Sequence, residues 1–259
     1  MPTSSLFPPV LPEPSPGAWL MVNTGPVPLR CWWAPTSSVK PATRAVIVLP
    51  EIFGLNGWVR GVADLLSAAG VPALAMPLFA RTAPELALGY DPEATREGRR
   101  HKEATKTEEI LADVQASIDW LGETLGTGDQ PLRITVVGFC FGGHAALLAA
   151  TLTGVDVSLD FYGAGVSRGR PGGGAPSLEL LPAVQGELHC LCGSIDPLIP
   201  SSEQQAIQAA LQRVDPTGLR LRYSAFEGAE HGFMCEARDQ YHQASAEEGW
   251  RLLLEAAHS

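Results

Sequence analysis

The chain has 259 residues, 45% of them apolar and 18% charged, so it can bury a sizeable core and is not generally disordered. Its formal charge of −10 argues against nucleic acid or an anionic membrane as a partner, because nothing offsets repulsion from phosphate. The five cysteines have no regular spacing and predict neither a disulfide framework nor a metal site: Cys31, Cys140, Cys190, Cys192 and Cys235. We therefore expect a reducing compartment and no metal or organic cofactor.

The start of the sequence predicts an arm and not a targeting segment. Residues 1–16 carry prolines where a signal peptide needs an apolar helix, and no apolar run reaches the roughly 18 to 20 residues of a membrane span. We expect residues 1–18 to form a poorly ordered arm, followed by a single domain at 19–259 in a cytoplasmic protein.

Strand and helix patterns alternate along the rest of the chain. Short apolar runs, rich in β-branched residues, predict strands around Cys31 and at 44–50, 71–77, 132–138, 155–163, 187–193 and 219–226. Apolar residues at the helical period predict helices at 59–69, from Thr107 to Leu121, at 142–152, near 203–213 and at 245–257. This alternation predicts an α/β fold with a mostly parallel central sheet and helices on both faces.

Two stretches interrupt the alternation. Residues 82–106 are polar and charged, and residues 163–182 are rich in glycine and proline. Long segments of this kind in a compact domain form lids or binding loops about as often as plain solvated insertions, so both interpretations stay open.

The segment GFCFG at 138–142 carries the first chemical signal. It places Cys140 between Gly138 and Gly142, directly after a buried strand and before an apolar helix, as the thiol version of the G-x-Ser-x-G nucleophile elbow. Side chains at the two glycines would collide with neighbouring backbone, and the helix N-terminus would favour a thiolate. A small buried cysteine is the plainer alternative. A phosphate-binding loop fits less well, because the Walker lysine is missing and Phe139 and Phe141 are bulky.

A thiol nucleophile needs a base, and the base needs an orienting acid. In the elbow arrangement the acid and then the histidine follow the nucleophile along the chain. Asp196 follows directly on the strand at 187–193, and His231 follows the strand at 219–226, so both are predicted at the sheet edge that Cys140 occupies. Four other candidates lie inside strands or in a polar, exposed stretch: His189, His242, Asp156 and Asp160.

Taken together, these motifs resemble those of the dienelactone hydrolase family, the carboxymethylenebutenolidases of the α/β-hydrolase fold. The similarity runs through nearly the whole chain from about residue 20. It rests on six segments, LPEIFGLN with Glu51, PLFAR with Arg81, GFCFGG with Cys140, FYG with Tyr162, GSIDPLIP with Asp196 and AEHGF with His231.

The resemblance implies a hydrolase that opens a lactone or ester bond of a small, carboxylate-bearing substrate through an acyl-enzyme. It implies a Cys140, Asp196 and His231 triad, with Glu51 taking part in activating the thiol. The backbone N–H groups of Phe141 and Ile52 are expected to hold the oxyanion. The resemblance also implies that Arg81 and Tyr162 contact the substrate.

One departure from the family pattern concerns the substrate carboxylate. Members acting on dienelactone have a second arginine four residues after the histidine, where this chain has Cys235. Arg238, or Arg168 and Arg170 in the glycine-rich stretch, could compensate for it, although a surface charge is the expectation for each. The loss also weakens the expected switch at Glu51, because the resting partner of that glutamate is then missing.

Three functions therefore remain in competition. The first is the dienelactone-type hydrolase. The second is a broader carboxylesterase or thioesterase for neutral substrates, favoured by Cys235. The third is a non-catalytic binding descendant, against which the retained nucleophile, acid, base and glutamate argue. Monomer and dimer stay equally open.

Overall fold

An eight-stranded sheet lies at the centre of the part of the chain that the computed structural model describes, residues 17–36, 42–126 and 131–259. Its strands are β1 Ala18–Val22, β2 Leu29–Ala34, β3 Arg44–Leu49, β4 Ala73–Ala75, β5 Arg133–Phe139, β6 Val157–Phe161, β7 Glu187–Gly193 and β8 Leu221–Phe226.

The strand order is β1-β2-β4-β3-β5-β6-β7-β8. β1 and β2 run antiparallel to their neighbours, and the strands from β4 to β8 in that order pair in parallel. The predicted mostly parallel sheet is therefore confirmed. The carboxyl ends of β3, β5, β6, β7 and β8 meet at one edge, where loops carry ligand-binding and catalytic groups in such sheets.

Six α-helices surround the sheet in these described ranges. They are α1 Gly57–Ala68, α2 Pro92–Ala104, α3 Thr107–Leu125, α4 Phe141–Ala149, α5 Ser201–Val214 and α6 Gln243–His258. A 3-10 helix covers Ser177–Ala183.

The core has two apolar clusters, one on each face of the sheet. Along β3, Val46 and Val48 join the cluster that contains α1 and α6, whereas Ile47 and Leu49 join the one that contains α3. Alternate side chains of one strand thus point into opposite layers, and both layers are apolar. This confirms the prediction of helices on both faces.

Two predictions about the chain need correction. The polar stretch at 82–106 was predicted as a lid or solvated loop, but most of it is α2. Only Ala94, Gly98 and His101 of α2 are buried, so the helix has no apolar stripe to reveal it. Ala69, the last residue of the helix predicted at 59–69, is exposed and lies past the end of α1.

The predicted N-terminal arm lies almost wholly outside the described residues, and β1 begins at Ala18. None of the helices described is both long and apolar enough to cross a bilayer.

Candidate active site

Cys140 lies on a sharp turn between β5 and α4. Its backbone has φ 56° and ψ −115°, a left-handed φ that a non-glycine residue rarely adopts. A methyl group on Gly138 would come within 3.0 Å of Gly142 backbone atoms, and one on Gly142 would come within 3.0 Å of the Leu49 and Pro50 carbonyl oxygens. The predicted collisions are thus confirmed, and they explain why both positions are glycine.

The thiol of Cys140 differs from the other four in its exposure. All five cysteines lie in the described ranges and are free, but only Cys140 is partly exposed. It is the residue before the first turn of α4, a helix with no acidic side chain in that turn. The N-terminal N–H groups and the helix dipole therefore act on the thiol without competition from an acidic side chain in that turn.

His231 and Asp196 form a buried pair beside it. His231 Nδ1 and Asp196 Oδ2 are 2.8 Å apart, and their side chains are 5% and 0% exposed. Asp196 also accepts a hydrogen bond from the backbone N–H of Leu198 at 2.7 Å, which fixes its carboxylate. With Nδ1 bonded to the acid, Nε2 is the nitrogen left for proton transfer.

Electrostatics favour a protonated His231. Burial lowers its pKa, but interaction with the Cys140 thiol and the hydrogen bond to Asp196 outweigh burial and raise the pKa to about 10. Among the described residues Nε2 has no partner that meets hydrogen-bond geometry. The structure therefore brings Cys140, Asp196 and His231 together in the arrangement of a thiol, base and acid.

The other histidines have structural partners. His144 Nδ1 donates to the Ala164 carbonyl at 3.1 Å and its Nε2 accepts from Ser177 Oγ at 2.7 Å. His189 is bonded to Ser224 Oγ at 2.8 Å on the strand face. Burial lowers the pKa of His144 and of His189 to about 4, so both are neutral near pH 7.

Glu51 is paired, contrary to expectation. It is 1% exposed, and its Oε1 accepts a hydrogen bond from Arg238 Nη1 at 2.6 Å. Arg238 was predicted as a surface charge, but its side chain is only 15% exposed and packs against Gly232, next to His231. The prediction that Glu51 loses its resting partner is therefore wrong.

The second carboxylate oxygen of Glu51 does not take part in the bond to Arg238. Its Oε2 is buried without a partner in the described part of the chain. Burial raises the pKa of Glu51, opposed by the charges of Arg238 and His231. Glu51 is thus a buried carboxyl that holds an arginine with one oxygen and has the other free.

Tyr162 is buried with an unusual backbone. Its φ is 45°, its side chain is fully buried, and its ring lies 5.1 Å from that of His231. Its hydroxyl has no hydrogen-bond partner among the residues described. Burial, and then the charge of Glu51, raise its pKa well above the ordinary value, so the hydroxyl stays protonated and able to donate.

Arg81 is engaged away from the triad. Its Nη1 and Nη2 are 2.6 and 3.0 Å from the two oxygens of Asp113 on α3, and its Nε is 3.7 Å from Glu109. Each of these contacts is to a carboxylate of its own chain. A substrate carboxylate would have to compete with Asp113, which is almost fully buried.

Cys235, at the position of the missing arginine, is buried. Its Sγ donates to the Tyr90 hydroxyl at 3.2 Å, and burial is the largest cause that raises its pKa to about 12. This position therefore carries no charge at neutral pH.

The two expected oxyanion donors follow the carboxyl ends of the neighbouring strands β5 and β3. Phe141 is the first residue of α4, so its N–H has no acceptor within the helix. Ile52 follows Glu51 in the turn after β3, the strand that pairs with β5.

Across the described ranges, no group of three histidine, cysteine or carboxylate side chains is arranged to hold a metal ion.

Comparison with known sequences agrees with this architecture. The dienelactone hydrolase family matches residues 34–257. A Synechocystis sp. protein with a provisional carboxymethylenebutenolidase name is 35% identical over 206 residues, which covers 80% of this chain and 82% of that protein. The carboxymethylenebutenolidase of Pseudomonas putida is 27% identical over 215 residues, covering 81% of this chain and 83% of that enzyme.

A solved structure from Klebsiella pneumoniae, provisionally described as a dienelactone hydrolase, shares the fold. It superposes with a TM-score of 0.82 at 21% sequence identity, and covers 94% of this chain and 98% of that chain. The resemblance predicted from the six motifs is thereby confirmed, as is the α/β-hydrolase fold. The chain belongs to the dienelactone hydrolase family and is a hydrolase of lactone or ester bonds.

Proposed function

We propose that this hydrolase is cysteine-dependent, with Cys140 as nucleophile, His231 as base and Asp196 as the acid that orients the base. The observation that carries the proposal is the position of the Cys140 thiol, at the start of α4 and against a histidine held by a buried carboxylate. A helix N-terminus and a neighbouring imidazolium both stabilise a thiolate.

The reaction follows in two halves. His231 takes the thiol proton at Nε2, and the thiolate attacks the carbonyl carbon of the lactone or ester. The bond from that carbon to the leaving oxygen breaks, leaving a thioester on Cys140, and the departing oxygen takes the proton from His231. Water, deprotonated by His231, then attacks the thioester, and the carbon–sulfur bond breaks to release the acid and restore the thiol.

The oxyanion formed in each half is held by the N–H groups of Phe141 and Ile52. Backbone donors fixed before the reaction stabilise the tetrahedral intermediate without reorganising, and one such donor is worth about 10²- to 10³-fold in kcat. The position of Phe141 in the first turn of α4 and of Ile52 in the turn after β3 supports this assignment.

A carboxylate on the substrate fits Arg238 better than Arg81. Arg238 lies against Glu51 and near the triad, whereas Nη1 and Nη2 of Arg81 both donate hydrogen bonds to Asp113. When a substrate carboxylate takes a donor of Arg238, Glu51 loses its partner. Glu51, whose pKa is raised by burial, is then an unpaired carboxyl group whose charge acts on His231, and this favours transfer of the Cys140 proton to that histidine.

A hydrolase of neutral esters or thioesters is the second candidate. It is favoured by the uncharged Cys235 and by the intramolecular pairing of both Arg81 and Arg238. Matched substrates with and without a free carboxylate distinguish the two candidates directly.

The proposed chemistry uses a thiol, an imidazole and backbone donors, so it requires no metal or organic cofactor. Activity that is lost in EDTA and restored by zinc would contradict this. The five free cysteines support a reducing, cytoplasmic compartment. The net charge of −10 supports a small molecule, and not nucleic acid, as the partner.

The test is hydrolysis of small lactones and aryl esters by Cys140→Ala, with Cys31→Ala and Cys192→Ala as buried-cysteine controls. We expect turnover to vanish in Cys140→Ala alone, and mass spectrometry of the stalled wild-type reaction to find one acyl group on Cys140. Full activity in Cys140→Ala, or an acyl group elsewhere, would overturn the assignment.

A further inference from the structure

The helix α2 rests directly on the backbone of Ile52. Gly98 is one of three buried residues of α2, and a methyl group added there would come closer than 3.0 Å to the Ile52 carbonyl oxygen, 3.0 Å from its carbonyl carbon and 3.1 Å from its Cβ. The first two of these are backbone atoms, which cannot swing aside as a flexible side chain would. The surface of α2 therefore sets how far the carbonyl group of Ile52 can move outwards.

The residues after Ile52 are held from the same segment of chain. Leu55 N donates to the Leu86 carbonyl at 2.9 Å, and Leu88 N donates to the Phe53 carbonyl at 2.8 Å. The loop after β3 is thus clamped by residues 86–88 on one side and by Gly98 on the other. Both contacts come from the polar stretch that interrupts the strand and helix alternation.

The same helix also reaches the second donor. His101 of α2 packs on Phe79 with ring centroids 5.8 Å apart, and Phe79 stacks on Phe141 at 5.9 Å with the rings 7° from parallel. His101 Nδ1 and Thr82 Oγ1, 2.9 Å apart, anchor the helix to the loop that carries Phe79. One helix therefore contacts Ile52 directly and Phe141 through Phe79.

We propose that Gly98 is a positioning residue, whose missing side chain lets α2 pack against the carbonyl group of Ile52 and so hold this residue with its N–H pointing into the oxyanion hole. The inference rests on the proposed function, because it assigns Ile52 as a donor. A methyl at position 98 forces α2 and Ile52 apart, and misalignment on the scale of 1 Å is enough to cost about 10²-fold in rate.

Gly98→Ala tests the proposal, with Gly122→Ala as the matched control. Gly122 lies on the neighbouring helix α3, where an added methyl meets nothing within 4 Å, so both variants gain the same helix propensity but only one gains a clash. We expect Gly98→Ala to lower kcat by about 10- to 100-fold with KM nearly unchanged. Gly122→Ala is expected to keep the wild-type kcat.

A second readout separates positioning from general damage. Alkylation of Cys140 by iodoacetamide uses the thiolate but not the oxyanion hole, so its rate is expected to be unchanged in Gly98→Ala. Expressing kcat per alkylatable Cys140 corrects for any misfolded fraction. Thr82→Val, which removes the His101 anchor without a clash, gives a milder second variant and is expected to lower kcat about two- to tenfold.

The outcomes are distinct. Wild-type kcat in folded Gly98→Ala and in Thr82→Val overturns the positioning role. Equal losses of alkylation and hydrolysis also overturn it, because the damage then extends beyond the oxyanion hole. If the proposed function itself is wrong, Cys140→Ala keeps its turnover whatever Gly98→Ala does.

Discussion

Two residues beside the candidate site hold backbone conformations that cost free energy. Cys140 has φ 56° and Tyr162 has φ 45°, and each left-handed conformation of a bulky residue costs on the order of 1–3 kcal/mol. Both are held by hydrogen bonds from their own N–H groups, to the Phe161 carbonyl at 3.0 Å and the Leu191 carbonyl at 2.8 Å. Strain that neighbouring strands maintain in this way is typical of functional positions.

The first prediction concerns the hydroxyl of Tyr162. Because it is buried without a partner in the described residues, removing it in Tyr162→Phe is expected to raise the free energy of unfolding, by about 1 kcal/mol. If the hydroxyl donates to bound substrate, kcat/KM should fall about three- to tenfold in the same variant. Urea unfolding and steady-state kinetics measure the two effects.

Tyr90→Phe is the control for this change. The Tyr90 hydroxyl is bonded to Asn56 at 3.0 Å and to Cys235 at 3.2 Å, so its loss is expected to destabilise the fold. A destabilised Tyr162→Phe with wild-type kinetics would assign Tyr162 to structure alone.

The second prediction compares the two arginines. Arg238→Ala is expected to raise KM for carboxylate-bearing lactones by about 10- to 100-fold, because a charged hydrogen bond is worth roughly 1.5–3 kcal/mol and 1.4 kcal/mol is tenfold. Neutral esters should change little, and Arg238→Lys should recover part of the loss. Kinetics on a matched charged and neutral substrate pair measure this.

Arg81→Ala completes the comparison. It leaves Asp113 buried and unpaired, so we expect a lower melting temperature with little change in KM for either substrate. A charge-specific rise in KM in Arg81→Ala would return the carboxylate site to the arginine implied by the family resemblance. Equal effects of Arg238→Ala on both substrates would favour the neutral-ester hydrolase.

Individual residues differed in how well the sequence could predict them. Cys140, Asp196 and His231 each lie shortly after the carboxyl end of a strand, so local pattern was enough to expect them at one edge. Arg238 lies seven residues after His231 in an irregular loop, and no period or motif ties it to Glu51, almost 190 positions earlier. A long-range ion pair of this kind becomes visible only when the fold brings the two loops together.

At the scale of elements, α2 shows the limit of periodicity. Buried strands and amphipathic helices repeat their apolar residues at fixed spacings, and these were predicted. α2 buries a glycine and a histidine where other helices bury leucine, so its pattern is polar all round. Its start signals, Asp91 as N-cap and Pro92 at the first position, are the features that could have revealed it.

The third prediction concerns the contact between residues 163–182, which are rich in glycine and proline, and the helix α4. Ser177 begins the 3-10 helix and donates to His144 Nε2 at 2.7 Å, both groups being buried. Ser177→Ala leaves that nitrogen without its donor, so we expect a loss of about 1–3 kcal/mol in the free energy of unfolding. Turnover per alkylatable Cys140 should be unchanged, since neither group touches the triad.

Ser245→Ala is the matched control for the third prediction. Ser245 makes a similar bond to His242 Nδ1 at 2.7 Å, but His242 is half-buried and can use water instead. The expected loss is below about 0.5 kcal/mol. Equal losses in the two variants would mean that the Ser177–His144 bond contributes no more than the Ser245–His242 bond.

At the scale of the whole molecule, buried groups give the fold opposing responses to pH. Burial lowers the pKa of His144 and of His189 from 6.5 to about 4, so their stabilising contribution is complete above pH 6.5 and is lost as the pH falls towards 4. Burial raises the pKa of Asp160 from 3.8 to about 7, so its contribution is complete below pH 3.8 and is lost as the pH rises through 7.

These trends overlap between pH 4 and 6.5. Each group changes the free energy of unfolding by about 1.4 kcal/mol per pH unit within its window. On acidification, His144 and His189 lower the free energy of unfolding while Asp160 raises it. The three groups together therefore leave a net loss of about 1.4 kcal/mol per pH unit.

The fourth prediction isolates the aspartate. Asp160→Asn removes its titration, and the amide oxygen can still accept the hydrogen bond that Gly163 N donates to Asp160 Oδ1 at 2.7 Å. Relative to the wild type, we expect the variant to gain stability as the pH rises from 4 to 7, with a constant difference above pH 7. Below pH 6.5 the free energy of unfolding of the variant should fall with acidification about twice as steeply as that of the wild type, because only the two histidines then respond. Urea unfolding across this range measures both slopes, and a difference independent of pH would mean that Asp160 ionises within its ordinary range.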